Sequence, residues 1–361
     1  MQRRVLFLYT ELAPYFMACV ARLAKDHEVE VHVVHWEVNP EAPFHFEALP
    51  PKVRLHSRKE LSNGELMRFA EELDPDAVFA SGWVDKGYLR VCRTMRKRDI
   101  PTVMCTDTAW RGDQRQLLAT VLAPFWLHGT FSHVWSTGQR QTAYGLRLGI
   151  PARRIRTGFY AADVDRFAPL AAQFSALKAT RIPHRFLCVA RYIPTKGQQL
   201  LCDAFAELCK EGHAGDWELW CVGTGELFDQ VRSSASGSHA RIKHWGFKQA
   251  DELPELMAQA GVFVLPSTYE PWGVVVQEQA CAGMPLLLSD AVGAGERFLH
   301  ESGNGWGFRA GDKSSLKKAL RKAIDAGDDS LRAMGTYSAR VGNQWGPGDW
   351  ALVVMDLLGA R

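Results

Sequence analysis

Two glutamates eight residues apart, Glu270 and Glu278, bracket the run E-P-W-G-V-V-V-Q-E. A short apolar strand, Val262–Leu265, and a turn, Pro266–Tyr269, precede the run. A helix from Gly273 to Ala282 follows and is stopped by Gly283 and Pro285. The pattern predicts Glu270 at the loop where strand hands over to helix and Glu278 more than one turn inside that helix. The exposed amides of Gly273 and Val274 lie between them. In an open parallel sheet, ligands gather at such strand ends, and unpaired helix amides suit phosphate. One acid at the mouth and one deeper could hold the hydroxyls of two sugars joined by a diphosphate. Taken alone, the plainer reading prevails: a helix start with an acid near the positive end of its dipole.

Other strand ends in this half of the chain are also chemically loaded. After Phe186–Ala190 comes R-Y-I-P-T-K-G, which sets the guanidinium of Arg191 beside the flexible ammonium of Lys196. That couple suits diphosphate oxygens, although two solvated surface cations would look the same. After Glu218–Val222 comes Gly223-Thr224-Gly225-Glu226, whose glycines let the backbone approach a ligand or simply make a tight turn. Gly246-Phe247-Lys248 follows Ile242–Trp245 and offers an aromatic ring and a cation to a nucleobase, unless Phe247 belongs to the core. Val292-Gly293-Ala294-Gly295-Glu296 follows Leu286–Ser289 and again permits close backbone approach.

The elements that position these loops alternate. Helices are expected at Gln198–Lys210, Leu227–Ala235 and Leu253–Gln259 between the strands just named. Strands Val5–Tyr9, Val29–Val34, Ala77–Ala80, Thr102–Cys105 and His133–Ser136 alternate in the first half with helices Tyr15–Lys25, Gly64–Leu73, Gly87–Arg98 and Gln114–Leu127. Val38–Lys52, with four prolines, reads as a loop, and Ala168–Ile182 as a linker. Such alternation predicts an α/β chain of parallel sheets covered on both faces. Two units of this kind facing each other would leave a cleft at their strand ends, and a length of 361 residues favours two domains. A last helix, Asp349–Leu358, follows a Gly-Pro-Gly break and is placed to pack back on the first domain.

Composition narrows the class. The chain is 47% hydrophobic and 23% charged, with net charge +3. Met1-Gln2-Arg3-Arg4 runs straight into a strand with no cleavage region, and the longest apolar stretch, Leu117–Leu127, is too short to span a bilayer. The eight cysteines show no C-x-x-C pair and read as buried thiols in a reducing compartment. A cytoplasmic protein is expected. Between Lys86 and Arg156, thirteen Lys and Arg face three acids, next to the apolar stretch Leu117–Trp126. That pairing reads either as a membrane-surface or anionic-ligand face, placing the chain peripherally at the inner side of a membrane, or as a solvated helix beside a core helix. No nucleic-acid-binding signature is present.

In order and spacing these motifs resemble the retaining glycosyltransferases of family 4, which have the GT-B fold of two Rossmann-like, doubly wound domains. V-A-R-Y-I-P-T-K-G is similar to the family's G-R-x-x-x-x-K-G, and it is followed by V-G-T-G-E, H-W-G-F, the E-x7-E element and S-D-A-V-G-A-G-E. G-N-G-W-G-F-R-A-G-D and the earlier G-F-Y-A-A-D-V-D-R-F resemble two further family segments. The resemblance implies an acceptor-binding domain at 1–170, a nucleotide-sugar-binding domain at 171–345 and a helix at 346–361 crossing back to the first. It implies that Arg191 and Lys196 bind the diphosphate and stabilise the leaving group. By the same carry-over Glu270 contacts the donor sugar, Gly273 and Val274 approach it, Glu278 holds the ribose, and Phe247, Lys248 and Gly223 line the nucleotide. No metal or other cofactor is implied.

Two segments depart from the family. The loop Thr10–Tyr15 lacks the usual paired glycines, and Thr106-Asp107-Thr108 stands where the family has a histidine. Asp107 is therefore open as a group that orients donor or acceptor, or as a capping residue. The expected activity is metal-independent, retaining transfer of a hexose from a nucleotide sugar, a UDP-sugar by preference, to a glycan or lipid-linked acceptor in polysaccharide or glycoconjugate biosynthesis. Rival readings are a non-catalytic nucleotide-sugar-binding protein or another enzyme on similar halves, such as a nucleotide-sugar epimerase. A dehydrogenase is disfavoured, since no G-x-G-x-x-G follows Val5–Tyr9.

Overall fold

The computed structural model describes residues 2–41, 43, 44, 46 and 49–359. The chain divides into unit 1, Met1–Asn39, Phe44–Ala162 and Trp345–Arg361, and unit 2, Pro40–Pro43 and Asp163–Gln344. Unit 1 runs β1 (Arg4–Tyr9), α1 (Pro14–Asp26), β2 (Glu30–His35), β3 (Val53–Ser57), α2 (Asn63–Leu73), β4 (Ala77–Ser81), α3 (Lys86–Lys97), β5 (Thr102–Thr106), α4 (Gln114–Trp126), β6 (His133–Ser136), α5 (Gln139–Arg147) and β7 (Ile155–Thr157). Unit 2 begins with α6 (Val164–Leu177), β8 (Arg185–Val189), α7 (Gln198–Lys210), β9 (Glu218–Val222), α8 (Phe228–Ser233), β10 (Ile242–His244) and α9 (Leu253–Ala258). It continues through β11 (Val262–Leu265), α10 (Val274–Cys281), β12 (Leu286–Ser289), α11 (Gly295–Phe298), β13 (Gly305–Phe308), α12 (Lys313–Asp325) and α13 (Gly327–Gly342). The last helix, α14 (Pro347–Gly359), belongs to unit 1.

Among the described residues, unit 1 holds a seven-stranded sheet ordered β3-β2-β1-β4-β5-β6-β7 and unit 2 a six-stranded sheet ordered β10-β9-β8-β11-β12-β13. Every pairing is parallel, with Phe7 opposite Val33 and Phe79, and Leu187 opposite Trp220 and Phe263. This is the doubly wound α/β architecture of the GT-B fold. In each sheet the winding reverses once, between β1 and β4 and between β8 and β11. There the loops leave to opposite faces, and a crevice opens at the strand carboxyl ends. The crevice of unit 2 is therefore bordered by whatever follows β8 and β11.

Interior strands are apolar on both sides because helices cover both faces of each sheet. In unit 1, Phe7 stacks on Phe79 at 4.7 Å and meets Phe16 of α1 edge-on at 5.4 Å. α14 closes that core. Trp350, Val354, Leu357 and Leu358 repeat at helical spacing and are buried, and α14 packs on α1. The Trp350 ring lies 5.0 Å from Trp135 and 5.7 Å from Phe7, and its Nε1 donates to the carbonyl of Phe159 at 2.8 Å. In unit 2, Phe186 packs against Trp217 at 4.5 Å and Phe205 at 6.1 Å. Seven of the eight cysteine thiols are buried, and all eight are free. Among the described residues no helix is long and apolar enough to cross a membrane.

The structure corrects one expectation and fills several gaps. Ala168–Ile182 is not a linker: α6 runs through Leu177, with Phe167 and Phe174 buried two turns apart on one face despite Pro169 inside the helix. Strands β3, β7 and β13 are sheet edges with mixed burial, which blurs the alternation that marks a strand. The loop expected at Val38–Lys52 holds for its described residues, while Ala42, His45, Glu47 and Ala48 lie outside them.

Candidate functional site

The strand reversal of unit 2 puts the loop after β8 beside the loop after β11, and the two loops are pinned together. Thr268 N donates to the carbonyl of Thr195 at 2.8 Å, and the loop after β12 (Leu286–Ser289) braces the second of them, with Gly293 N and Ala294 N donating to the carbonyls of Glu270 and Trp272 at 3.0 and 2.8 Å. Lys196 ends a short 3-10 turn, Pro194–Lys196, and Glu270 sits just before α10. Lys196 Nζ meets Glu270 Oε2 at 2.5 Å, with both side chains largely buried, and Ser267 Oγ donates to the same oxygen at 3.4 Å. Ser267 was not anticipated; its place in S-T-Y-E, three residues before Glu270, is the only mark it leaves in the sequence.

Arg191 leaves β8 ahead of Lys196, and its Nη1 lies 3.5 Å from Glu41 Oε2. Gln198 Nε2 donates to the carbonyl of Arg191 at 2.8 Å and to that of Ala190 at 3.2 Å, fixing the backbone from which the guanidinium projects. Glu41 sits on the segment that unit 2 recruits from between β2 and β3, and nothing local in the sequence marks it as a partner of Arg191.

The two glycines singled out earlier have distinct structural reasons. Gly223 has φ 130°, and a Cβ there would stand 2.1 Å from the carbonyl oxygen of Ala190, so its close approach is to the neighbouring loop. Gly273 caps α10 at φ 92°, where a Cβ would lie 3.0 Å from Cγ of Glu270. With no side chain at position 273, the glutamate can fold against the start of the helix. Val274 then opens α10 as a buried residue.

Glu278 lies in the second turn of α10 and is half-buried. Burial, helped by the negative charge of Asp163 and opposed by Arg166, pushes its carboxyl up to about 7. Burial likewise raises the carboxyl of Asp163, with the charge of Asp165 adding to it and Arg166 opposing. Glu278 therefore faces the start of α6, whereas Glu270 faces Lys196. Asp163 and Arg166 belong to the A-A-D-V-D-R-F junction and were not named as site residues.

Phe247 and Lys248 follow β10, and both are half-buried, so Phe247 is not a core residue. Lys248 Nζ pairs with Glu252 Oε1 at 2.8 Å. Asp107 belongs to unit 1. It follows β5, accepts from Tyr160 Oη at 3.3 Å on Oδ2, and its carbonyl accepts from Gln141 Nε2 at 3.2 Å. Burial, with the Asp107 charge next in weight, holds the Tyr160 hydroxyl well above its usual range. The cap of α4 is Asp113, whose Oδ1 accepts from Gln116 N at 2.9 Å, so Asp107 does not cap that helix.

A pinned pair of loops at the strand reversal of a doubly wound unit, carrying cations and acids in this order, can be compared with known proteins. Residues 174–341 match the family Glycosyl transferases group 1. This segment is similar to a group 1 glycosyltransferase domain. The matched segment contains Arg191, Lys196, Gly223, Phe247, Lys248, Glu270, Gly273, Val274 and Glu278, and excludes Asp107. Over 204 residues the chain is 25% identical to the amylovoran biosynthesis glycosyltransferase AmsK of Erwinia amylovora, covering 54% of this chain and 48% of that one. Over 202 residues it is 29% identical to a GDP-mannose-dependent alpha-(1-6)-phosphatidylinositol monomannoside mannosyltransferase of Mycobacterium tuberculosis, covering 52% and 50%. The chain thus spans about half the length of these curated relatives. In fold it is similar along its whole length to Anabaena Alr3699/HepE, solved in complex with UDP and glucose (TM-score 0.73, 17% identity, 100% of both chains covered).

Proposed function

We propose that this chain is a metal-independent, retaining glycosyltransferase that moves a hexose from a UDP-sugar to a glycan or lipid-linked acceptor in polysaccharide or glycoconjugate biosynthesis. We place the activity in the cytoplasm. The observation that carries this reading is the 2.5 Å contact of Lys196 with Glu270 at the strand reversal of unit 2. An ammonium and a carboxylate held together there become, once exchanged onto a donor, a partner for the diphosphate and an acceptor for sugar hydroxyls. Arg191 adds a second cation on the same strand end.

The bond that breaks joins the anomeric carbon to a phosphate oxygen, so negative charge grows on the departing nucleoside diphosphate. Lys196 and Arg191 oppose that charge where it develops, which lowers the barrier more than tight binding of the intact donor would. Glu270 orients the hexose, and Glu278 takes the ribose hydroxyls. The departing phosphate accepts the proton of the incoming acceptor hydroxyl on the same face, so configuration is retained without a protein nucleophile. Asp107, bonded to Tyr160 in unit 1, is assigned to orient the acceptor.

The test is release of nucleoside diphosphate from a panel of nucleotide sugars with candidate acceptors, with and without EDTA. Lys196→Ala, Arg191→Ala and Glu270→Ala should each cut kcat by about 100-fold or more while circular dichroism stays unchanged. NMR of the product should show the donor's anomeric configuration kept. Turnover unaltered in these variants refutes the assignment, and donor binding without turnover on any acceptor supports the non-catalytic reading instead.

A further inference from the structure

Helix α4 of unit 1 packs through Gln116, Ala123 and the following Leu127, yet it also carries apolar residues on the side that does not pack. At 100° per residue, Leu117, Leu118, Val121, Leu122 and Phe125 fall within an arc of about 140° on the opposite side. All five are exposed, Val121 to 66% and Phe125 to 85%. Gln114 and Arg115 make the first turn polar, but from Leu117 onward the exposed side is an apolar ridge, and 13 residues give about 20 Å, enough to lie along a bilayer surface but not to cross it.

The neighbouring helix supplies charge. Val91, Cys92 and Met95 of α3 and Ala123 of α4, with Leu127 just after it, belong to one buried cluster, so both helices cover the same face of the sheet. Lys86, Arg90, Arg93 and Lys97 recur at helical spacing and form an exposed stripe along α3. Arg93 Nε donates to Thr130 Oγ1 at 3.1 Å, and that hydroxyl donates to the carbonyl of Trp126 at 2.7 Å, tying the stripe to the end of α4. Trp126 meets Trp83 at 5.7 Å, next to the 71% exposed Val84. Each of the three acids of this region has a partner: Asp99 pairs with Arg96, Asp107 accepts from Tyr160, and Asp113 caps α4. A basic stripe beside an apolar ridge complements a surface that is anionic outside and hydrocarbon within.

We infer that α4 is a membrane-docking element, its Leu117–Phe125 face seated among the acyl chains of an anionic lipid surface with the basic stripe of α3 on the headgroups. The inference stands apart from the chemistry of unit 2 and is read without any turnover.

The test is co-sedimentation of the purified chain with vesicles of phosphatidylcholine alone and of phosphatidylcholine mixed with phosphatidylglycerol. Binding to the mixed vesicles should be at least about tenfold stronger, and added salt should weaken it. Val121→Ser with Phe125→Ser, both at exposed positions and checked by an unchanged melting temperature, should lower the partition about tenfold or more. Replacing Lys86, Arg90, Arg93 and Lys97 by Gln should remove the preference for phosphatidylglycerol. The inference is overturned by absent binding to the mixed vesicles or by binding that the Val121/Phe125 variant leaves intact. A chain that sedimentation velocity shows to be dimeric through this face, without vesicle binding, overturns it in favour of a second copy.

Discussion

Replacing Glu278 with glutamine tests the electrostatics of α10 directly. Its carboxyl rises from 4.5 to about 7, chiefly through burial and then through Asp163. A raised folded-state value means that the folded chain holds this proton more tightly than the unfolded chain. The carboxylate therefore costs nothing at low pH, and stability is lost as pH rises from about 4.5 through 7. Integrating between the two values gives a cost of about 1 kcal/mol at pH 5 and about 3 kcal/mol at pH 8. Glu278→Gln removes the titrating group, so its advantage over the parent should grow by about 2 kcal/mol between these pH values. Any fixed gain or loss from the amide cancels in that difference. Urea unfolding followed by tryptophan fluorescence at pH 5 and pH 8, on both chains, measures it. Equal stability differences at the two pH values, or a smaller advantage at pH 8, would refute the account of how α10 meets α6.

Three further outcomes follow from other parts of the fold. Trp350→Ala should lower the stability of unit 1 by about 3–5 kcal/mol, since the ring is 1% exposed and anchors α14; an unshifted denaturation midpoint would mean that the helix is not part of that core. Lys178 is buried over the Phe174 ring with its Nζ on the Met257 carbonyl at 3.1 Å, and burial holds its ammonium down to about 7. Lys178→Met should therefore stabilise by up to about 4 kcal/mol at pH 7, an advantage that shrinks towards pH 10.5, and a pH-independent effect would contradict this. Glu41→Gln loosens the half-exposed pair with Arg191, worth about 0.2–1 kcal/mol, so the KM for the donor should fall by up to about fivefold; an unchanged KM removes Glu41 as a competitor for that guanidinium.

How much of this was legible in the sequence depended on how local each feature is. The central strands stood out because both of their faces are buried, which leaves uninterrupted apolar runs such as V-F-V-L at β11. Edge strands such as β3 (V-R-L-H-S) and β7 (I-R-T) bury little and alternate poorly, so no run betrays them. α6 was hidden by Pro169 and by the Ala-rich composition around it. Within the site, loops that follow strands are ordered by the chain itself, so Arg191, Lys196 and Glu270 could be named from their positions. What they touch depends on strand order, and that arises from packing between distant segments. The contact of Lys196 with Glu270 spans 74 positions, and that of Arg191 with Glu41 spans 150. The neighbours of Glu278 depend on where α6 docks, which no spacing within E-x7-E contains.

The return of α14 to the first sheet constrains biosynthesis. All of unit 2 except Pro40–Pro43 is translated between β7 and the helix that seals Phe7, Phe16 and Trp135. On a ribosome, the first half would emerge early yet keep its aromatic floor uncovered until residues 347–359 arrive, by which time the second half has had its chance to fold. A chain cut short near its end would thus damage the unit made first, and a chaperone binding the exposed floor of β1 would have most of the translation time in which to do so.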